Sequence, residues 1–185
     1  MSTPFKPSFL DPLDRPYNRY TSHCNGRNIY NKLVTWELSV NDLKVVLSNS
    51  QDAVYELGKL TKLVCRCSLA FLNFITPYII IEYQDGEVVL YEVNLHLGEM
   101  NSVDLSFDTL TSVSITYNKA ISRDGLIVAA IGPDGVYRGT LINGKLTLTK
   151  ISSLDNPTHF RIHRFGLNTA NALSIELVEL ANESI

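Results

Sequence analysis

The sequence predicts an α+β fold, in which a mostly antiparallel β-sheet packs against one long or broken central helix and follows a flexible N-terminal arm. Three observations lead to this prediction. Prolines interrupt the first 30 residues, apolar residues recur at helical spacing over residues 50–75, and β-forming runs separated by turn dipeptides fill the remainder. The predicted domains are therefore an arm over residues 1–30 and a single mostly-β domain over residues 31–185.

The predicted arm is both proline-interrupted and basic. Its prolines remove backbone donors and favour extended conformations in the residues that precede them. Residues 1–34 hold five basic and two acidic residues, whereas the whole chain has a net charge of −3. Such an arm can contact an anionic surface or the acidic body of a neighbouring copy, and an ordinary solvated tail is the alternative. The candidate contact residues are Arg15, Arg19, Arg27 and Lys32.

The central helix is predicted from apolar residues that recur every three or four positions. They are Ala53, Val54, Leu57, Leu60, Val64, Cys67, Phe71 and Phe74. Ser48 and Gln51 have the spacing of a capping box, and Ser50 is a competing N-cap. Because Pro77 disfavours continuation of a helix, the helix is expected to fill about residues 50–75, with a kink at Gly58.

The remaining segments alternate apolar and polar residues and predict strands. Asp85-Gly86 and Asn143-Gly144 are two-residue hairpin signals, because a type I′ turn needs positive φ at both central positions. The predicted strands cover residues 33–40, 78–83, 87–95, 110–117, 126–131, 135–142, 145–151 and 159–165, with a strand preferred to a helix at 173–180. Since no repeat of about 40 residues is evident, a propeller is not expected.

The sequence predicts no catalytic residue, metal site or cofactor. Cys65 and Cys67 would point apart on a helix, and core filling is their simpler interpretation. His23 and Cys24 adjoin in the arm, where nothing would exclude water. The chain also lacks a glycine-rich loop that precedes a helix, as phosphate-binding and dinucleotide-binding fingerprints require.

Two short segments are candidate contact surfaces. His159, Arg161, His163 and Arg164 form a basic strip that could bind an anion or a partner, and a solvated strand edge is the alternative. Two of its residues, His159 and His163, lack a nearby third ligand for a metal. Tyr30 and Leu33 have the Tyr-x-x-Leu spacing of sorting and budding motifs, although Leu33 is also expected to begin the first strand.

The order of elements in residues 1–75 resembles that of rhabdovirus matrix proteins. The counterparts are the Pro/Tyr/Arg arm, YNKLVTWELSV at residues 30–40, SNSQDAVYEL at residues 48–57 and CRCSLAFLNF at residues 65–74. The departures are the missing late motifs, the missing lysine cluster and the acidic balance. The resemblance implies a virion protein that self-associates and bridges the nucleocapsid to a membrane.

The function expected from these observations is that of a non-enzymatic, self-associating structural protein. The most specific form of this expectation is a viral matrix-type protein. A β-rich interaction module that docks one partner is the alternative, and an enzyme with a scattered active site is a third class. Expected partners are a second copy, a nucleocapsid or another protein, with weak peripheral membrane contact and no sequence-specific nucleic-acid binding. Three cysteines without framework spacing, no signal peptide and no transmembrane segment indicate the cytoplasm.

Overall fold

The structure, a computed structural model, describes residues 19–168, 170 and 172–180. These residues form antiparallel strands and a single 3₁₀ turn, Pro157–His159. The strands are β1 (Arg19–Arg27), β2 (Leu33–Asn41), β3 (Lys44–Asn49), β4 (Val54–Lys59), β5 (Val64–Leu72), β6 (Thr76–Tyr83), β7 (Val88–Asn94), β8 (Glu99–Ser102), β9 (Ser112–Thr116), β10 (Leu126–Ile131), β11 (Gly135–Ile142), β12 (Lys145–Ser153), β13 (Phe160–Leu167) and β14 (Leu173–Glu179). None of the described residues forms a helix long and apolar enough to cross a bilayer.

The predicted α+β class is wrong, because the segment expected to be a central helix forms strands β4 and β5. Several residues of its predicted apolar face are nevertheless core residues, and Leu57, Val64 and Phe71 are all buried. Val54, by contrast, is 72% exposed, which a continuous buried helix face would not allow. The pattern therefore identified much of the core correctly and assigned it to the wrong element.

The geometry of β5 explains why the apolar residues of the predicted helix recur at three- and four-residue spacing. A register shift between Val64 and Arg66 places Cys65 in a bulge, which lengthens one two-residue step to three. The step from Cys67 to Phe71 is simply two strand periods. Residues 67–71 are all buried, because β5 has a neighbouring sheet on each of its faces, and the alternation that marks a strand disappears.

The residues that were predicted to cap a helix form the turn between β3 and β4 instead. The side-chain oxygen of Asn49 accepts hydrogen bonds from the backbone N–H groups of Gln51 and Asp52, both at 2.8 Å. Such a side chain can order a turn as readily as a helix start. The polar residues between β3 and β4 therefore stabilise a loop and begin no helix.

The strands form four antiparallel sheets, each ordered as in the sequence. The orders are β1-β2-β3-β4, β5-β6-β7-β8, β9-β10-β11-β12 and β13-β14. Their first strands lie side by side, because Ser22 Oγ of β1 accepts from Leu69 N of β5, and Ser68 Oγ of β5 accepts from Ile115 N of β9. This is the arrangement of neighbouring blades in a β-propeller, and the four sheets are called blades 1 to 4 below.

The sequence shows no repeat of about 40 residues, whereas the structure repeats a sheet unit along the chain. The first strands begin at residues 19, 64, 112 and 160, so one blade recurs about every 45–48 residues. The blades share topology but no repeated signature residues, since their loops differ in length and composition. For this reason the repeat is evident in the fold and cannot be detected in the amino-acid pattern.

Both predicted hairpins form, but the expected positive φ at both central positions is found at Asn143-Gly144 and is wrong for Asp85-Gly86, where only Gly86 has positive φ. Gly86 lies in the turn between β6 and β7 with φ of 96°, and Asn143 and Gly144 join β11 to β12 with φ of 51° and 77°. Each residue lies in the left-handed region that these turns require. The segment left open between strand and helix is strand β14.

Strand β1 lies within the range that was assigned to the arm. It pairs along its whole length with β2, from Arg19 opposite Asn41 to Arg27 opposite Leu33. Residues 1–18 lie outside the described residues. The β-structured part of the chain therefore includes residues 19–30 as well as the predicted domain.

The core lies between the blades. Trp36 and Phe71 pack between blades 1 and 2 with ring centroids 5.1 Å apart, and Ile80 and Val113 pack between blades 2 and 3. Ile162 of β13 is fully buried against Ala129 and Ile131 of β10. Each blade is thus stabilised by the apolar surface that its neighbour covers.

Candidate functional site

A buried carboxylate joins blades 2, 3 and 4. Glu82 is near the end of β6 and only 1% exposed, and its Oε2 lies 3.2 Å from Nη1 of Arg66. Ser112 Oγ and Val113 N donate to the same oxygen at 2.9 and 3.0 Å. The other oxygen, Oε1, has no hydrogen bond and lies 3.7 Å from Nε of Arg161. The burial of this charge is therefore offset by two cations and two hydrogen bonds.

The same junction extends into the neighbouring backbone. Arg66 donates to the carbonyl oxygen of Val113 at 3.1 Å and to Ser114 Oγ at 3.0 Å. Ile162 N of blade 4 donates to Ser112 Oγ at 3.0 Å. We call Arg66, Glu82, Ser112, Ser114 and Arg161 the polar junction. Because its charged groups are directed at each other and at backbone, the polar junction links blades 2, 3 and 4.

The three cysteines are poor nucleophiles. Burial raises the pKa of Cys24 and Cys67 to about 12 and that of Cys65, beside the carboxylate of Glu82, to about 11. Thiols with such pKa values are protonated at neutral pH, and the thiolate is the reactive form. The described residues also contain no group of three or more metal-binding side chains.

The loops between the strands fall into two groups, one at each end of the blades. At one end the backbone N–H of Arg27, the last residue of β1, donates to the carbonyl oxygen of Phe74, which follows β5, at 2.7 Å. Tyr117 Oη, after β9, donates to Asn73 Oδ1 at 2.7 Å. The loops that follow odd-numbered strands therefore share one end, and those that follow even-numbered strands share the other. We call these the apolar end and the charged end.

The apolar end carries most of the exposed large hydrophobic side chains of the described residues. Ile29 and Tyr30 are each 69% exposed and Ile75 is 62% exposed, in the β1–β2 and β5–β6 loops. The full set at this end is Ile29, Tyr30, Leu33, Val54, Ile75, Leu97, Ile121, Ile142 and Leu167. Only Leu63 and Ile151 of the exposed large hydrophobics lie elsewhere. Such clustering is typical of an interaction surface.

The charged end carries exposed ion pairs instead. Lys62 Nζ, between β4 and β5, lies 2.8 Å from Asp85 Oδ2 and also contacts Glu87. Hydrogen bonding to these carboxylates raises the pKa of Lys62, and Lys62 in turn lowers the pKa of Asp85. Asp134 accepts from Tyr137 and Lys150, which lowers its pKa. This end therefore carries exposed charged side chains, several of which are paired with each other.

The described candidate arm residues and the short motif lie in β1, at the start of β2 and in the loop that joins them. Arg15 lies outside the described residues, and Arg19 is the first residue of β1. Arg27 donates to the carbonyl oxygen of Asn31 at 3.0 Å, and Lys32 is exposed. The motif residues Tyr30 and Leu33 are both exposed at the apolar end, and Leu33 also begins β2.

The predicted basic strip is divided by the fold. His159 is exposed and ends the 3₁₀ turn, whereas Arg161 is directed at Glu82 in the polar junction. A register shift between Ile162 and Arg164 interrupts the alternation at His163. The strip is consequently split between an interior ion pair and the exposed side chains of His163 and Arg164.

Sequence reasoning missed the polar junction and the apolar end. A usable signal for the junction was present, since Glu82 and Arg66 are charged residues inside runs that otherwise look buried. The apolar end had no comparable signal, because its residues are far apart in the sequence and single exposed hydrophobic residues are normal. Compared with protein-family models and with curated proteins, the chain gives no match.

Proposed function

We propose that this chain is a non-enzymatic protein-interaction module that binds a partner protein through its apolar end. The observation that carries the proposal is the collection of exposed hydrophobic side chains from all four blades on one end. Exposed apolar surface is costly to leave in water, and burying it at an interface releases about 25 cal/mol per Å².

The apolar end is a pre-organised surface. Asn28 Oδ1 accepts from the backbone N–H groups of Tyr30 and Lys32 at 2.9 Å, so the β1–β2 loop is held by its own side chain. In the β5–β6 turn, Asn73 and Phe74 have φ of 54° and 61°, as a tight turn requires. Loops ordered before binding lose less conformational entropy on binding, which favours their use for recognition.

The charges beside the hydrophobic residues favour a different partner over a second copy. Arg27 and Lys32 flank Ile29 and Tyr30 in the same loop, and both basic residues are exposed. Two copies joined through this loop would bring like charges together, whereas an acidic rim on another protein would complement them. The two segments that were compared with matrix-protein helices are strands, so the proposal includes no matrix role.

The proposal is tested by site-specific photo-crosslinking of the full chain in its native cells. A photoreactive phenylalanine analogue at Tyr30 is expected to capture one defined partner, and the double variant Ile29→Ser/Ile75→Ser is expected to lose it. The matched control is the same analogue at Leu63, a 49% exposed residue at the charged end. Equal capture from both ends, or none from Tyr30, would refute the assignment. Capture of a second copy would identify self-association instead.

A further inference from the structure

The β1–β2 loop combines positive charge with an exposed apolar tip. Arg27 precedes Ile29 by two residues, and Lys32 follows Tyr30 by two residues. All four of these residues are exposed, and the guanidinium of Arg27 donates to the carbonyl oxygen of Asn31 at 3.0 Å. The loop therefore holds two cations beside its hydrophobic side chains.

The β9–β10 loop has the same arrangement of charge. Lys119 precedes Ile121 by two residues, Arg123 follows it by two residues, and all three are exposed. Asp124 is the only acidic residue of this loop. Blades 1 and 3 therefore each present a pair of cations that flanks an exposed apolar residue.

The β5–β6 loop connects these two loops. The backbone N–H of Arg27 donates to the carbonyl oxygen of Phe74 at 2.7 Å, and the Phe74 ring packs edge-on against Tyr117 with ring centroids 5.2 Å apart. Tyr117 Oη also donates to Asn73 Oδ1 at 2.7 Å. The three loops are thus in direct contact, and we call them the loop row. The middle loop contributes the exposed Ile75 and carries no charged residue.

The charge of the loop row contrasts with that of the charged end. The loops at the charged end carry acidic residues in blades 1, 2 and 3, as at Asp42, Asp85 and Asp134. Lys62 is the only lysine or arginine of the described loops there, and it is paired with Asp85. The four cations of the loop row, by contrast, form no ion pair within the described part of the chain. An acidic partner is therefore attracted to the loop row and repelled by the opposite end.

We propose that the loop row binds an acidic segment of a partner protein, in which carboxylates accompany large apolar side chains. The apolar side chains of the segment contact Ile29, Ile75 and Ile121, and its carboxylates pair with the flanking lysines and arginines. This inference rests on the proposed function of the apolar end and adds the chemistry of the partner that the end selects.

Two other kinds of anionic partner fit this surface less well. Single-stranded nucleic acid binds largely by stacking its bases on aromatic rings, whereas Ile29, Ile75 and Ile121 are aliphatic. An anionic bilayer would face the whole apolar end, including the exposed carboxylates of Asp52 and Asp124. A single protein segment can follow the loop row and needs no contact with Asp52, which lies in the β3–β4 loop.

The test begins with a random peptide library that is displayed on phage and selected on the full chain. Enriched sequences are expected to combine aspartate and glutamate with large apolar residues, above their frequency in the unselected library. An enriched peptide is then labelled, titrated into the chain and followed by fluorescence anisotropy. Binding should weaken as salt is added, because the screening length falls from about 10 Å at 0.1 M to about 3 Å at 1 M. The same peptide with amides in place of its carboxylates should also bind more weakly.

Charge reversal in the chain separates the loop row from general attraction to the protein. Lys32→Glu/Lys119→Glu is expected to weaken peptide binding roughly tenfold, the range for two exposed ion pairs that become repulsive. The matched control is Lys44→Glu/Lys59→Glu, which changes the net charge equally at exposed lysines of the charged end and should leave binding nearly unchanged. Circular dichroism checks that both variants are folded.

Three results would overturn the inference. They are enrichment without an excess of acidic residues, no saturable binding, and equal weakening by the two double variants. Phosphatidylserine vesicles and polyuridylate are tested in parallel with the peptide. If either binds more tightly than the peptide and is lost in Lys32→Glu/Lys119→Glu, the occupant is a membrane or an RNA, and the inference is overturned as well.

The variant Ile29→Ser/Ile75→Ser distinguishes failure of this inference from failure of the proposed function. Enriched peptides that are not acidic and that this variant no longer binds would remove the inference and leave the proposed function in place. Acidic peptides that the variant binds as tightly as the unaltered chain would remove both, because the apolar side chains would then have no part in binding.

Discussion

The two ends of the blades expose opposite chemistry on the same scaffold. At the apolar end the loops present side chains such as Ile29 and Ile75, and at the charged end they present Lys62 and its carboxylate partners. The strands beneath are buried in the same way, so the difference resides in the loops. Ion pairs keep one end solvated, and the exposed hydrophobic side chains make the other end suited to binding.

Each end also rests on a different interior anchor. Below the apolar end, Phe71 packs on Trp36 and against Gly26, where an added Cβ would lie 2.3 Å from the Phe71 ring. Below the charged end, the polar junction joins Glu82 to Arg66. Packing therefore holds one end and a buried ion pair the other. Variants that remove one anchor at a time should destabilise the end above that anchor more than the other end.

The largest effect is expected for Phe71→Ala, which should lower the free energy of unfolding by about 4 kcal/mol through cavity formation. The loss should be greatest at the apolar end, where hydrogen exchange of the β1–β2 and β5–β6 loops should accelerate most. Phe71→Leu, which keeps most of the volume, serves as the control and should cost less. Unchanged thermal stability in Phe71→Ala would contradict the assigned packing.

Glu82→Gln is expected to lower the free energy of unfolding by about 3 kcal/mol, because it leaves the guanidinium groups of Arg66 and Arg161 without their counter-charge. Hydrogen exchange should accelerate at the junction of blades 2, 3 and 4 and little at the apolar end. Glu87→Gln, an exposed carboxylate at the charged end, is the control for loss of charge. Denaturant titrations that give the same loss for both variants would exclude a structural role for the junction.

The double variant Ile29→Ser/Ile75→Ser is expected to change the free energy of unfolding by less than about 0.5 kcal/mol per site, since both side chains are largely exposed. Partner capture should nevertheless disappear. Leu63→Ser, at the charged end, is expected to leave both properties intact. A large loss of stability in the double variant would show that these residues support the fold and would weaken the case for a binding surface.

The smallest effect is expected from pH at the charged end. Hydrogen bonding to Lys62 lowers the pKa of Asp85, and hydrogen bonding to Tyr137 and then to Lys150 lowers the pKa of Asp134. Their contribution to stability is therefore present above the ordinary aspartate pKa of about 3.9 and is lost as pH falls through the lower folded value. Denaturant titrations over a pH series should show that Asp134→Asn reduces the acid sensitivity slightly and that added salt diminishes the difference. An unaltered pH profile would indicate that the pair is not formed in solution.

The amino-acid sequence by itself determined the strands with clear alternation and their turns. Asn143-Gly144 and Asp85-Gly86 both lie in hairpin turns, because the glycine of each dipeptide readily adopts the positive φ that the turn uses. It also identified many core residues, such as Phe71 and Val64, because burial follows side-chain hydrophobicity. Neither inference depends on which sheets become neighbours.

The tertiary structure alone decided the blade architecture and the candidate sites. β5 is covered on both faces by other blades and carries a bulge at Cys65. Its apolar residues therefore recur at the spacing that is typical of a helix. Arg161 is an interior partner of Glu82 because β13 packs beside β9, a contact between residues distant in sequence. Local spacing specifies which face of a segment is apolar. It cannot specify what covers that face, because that depends on long-range packing between blades.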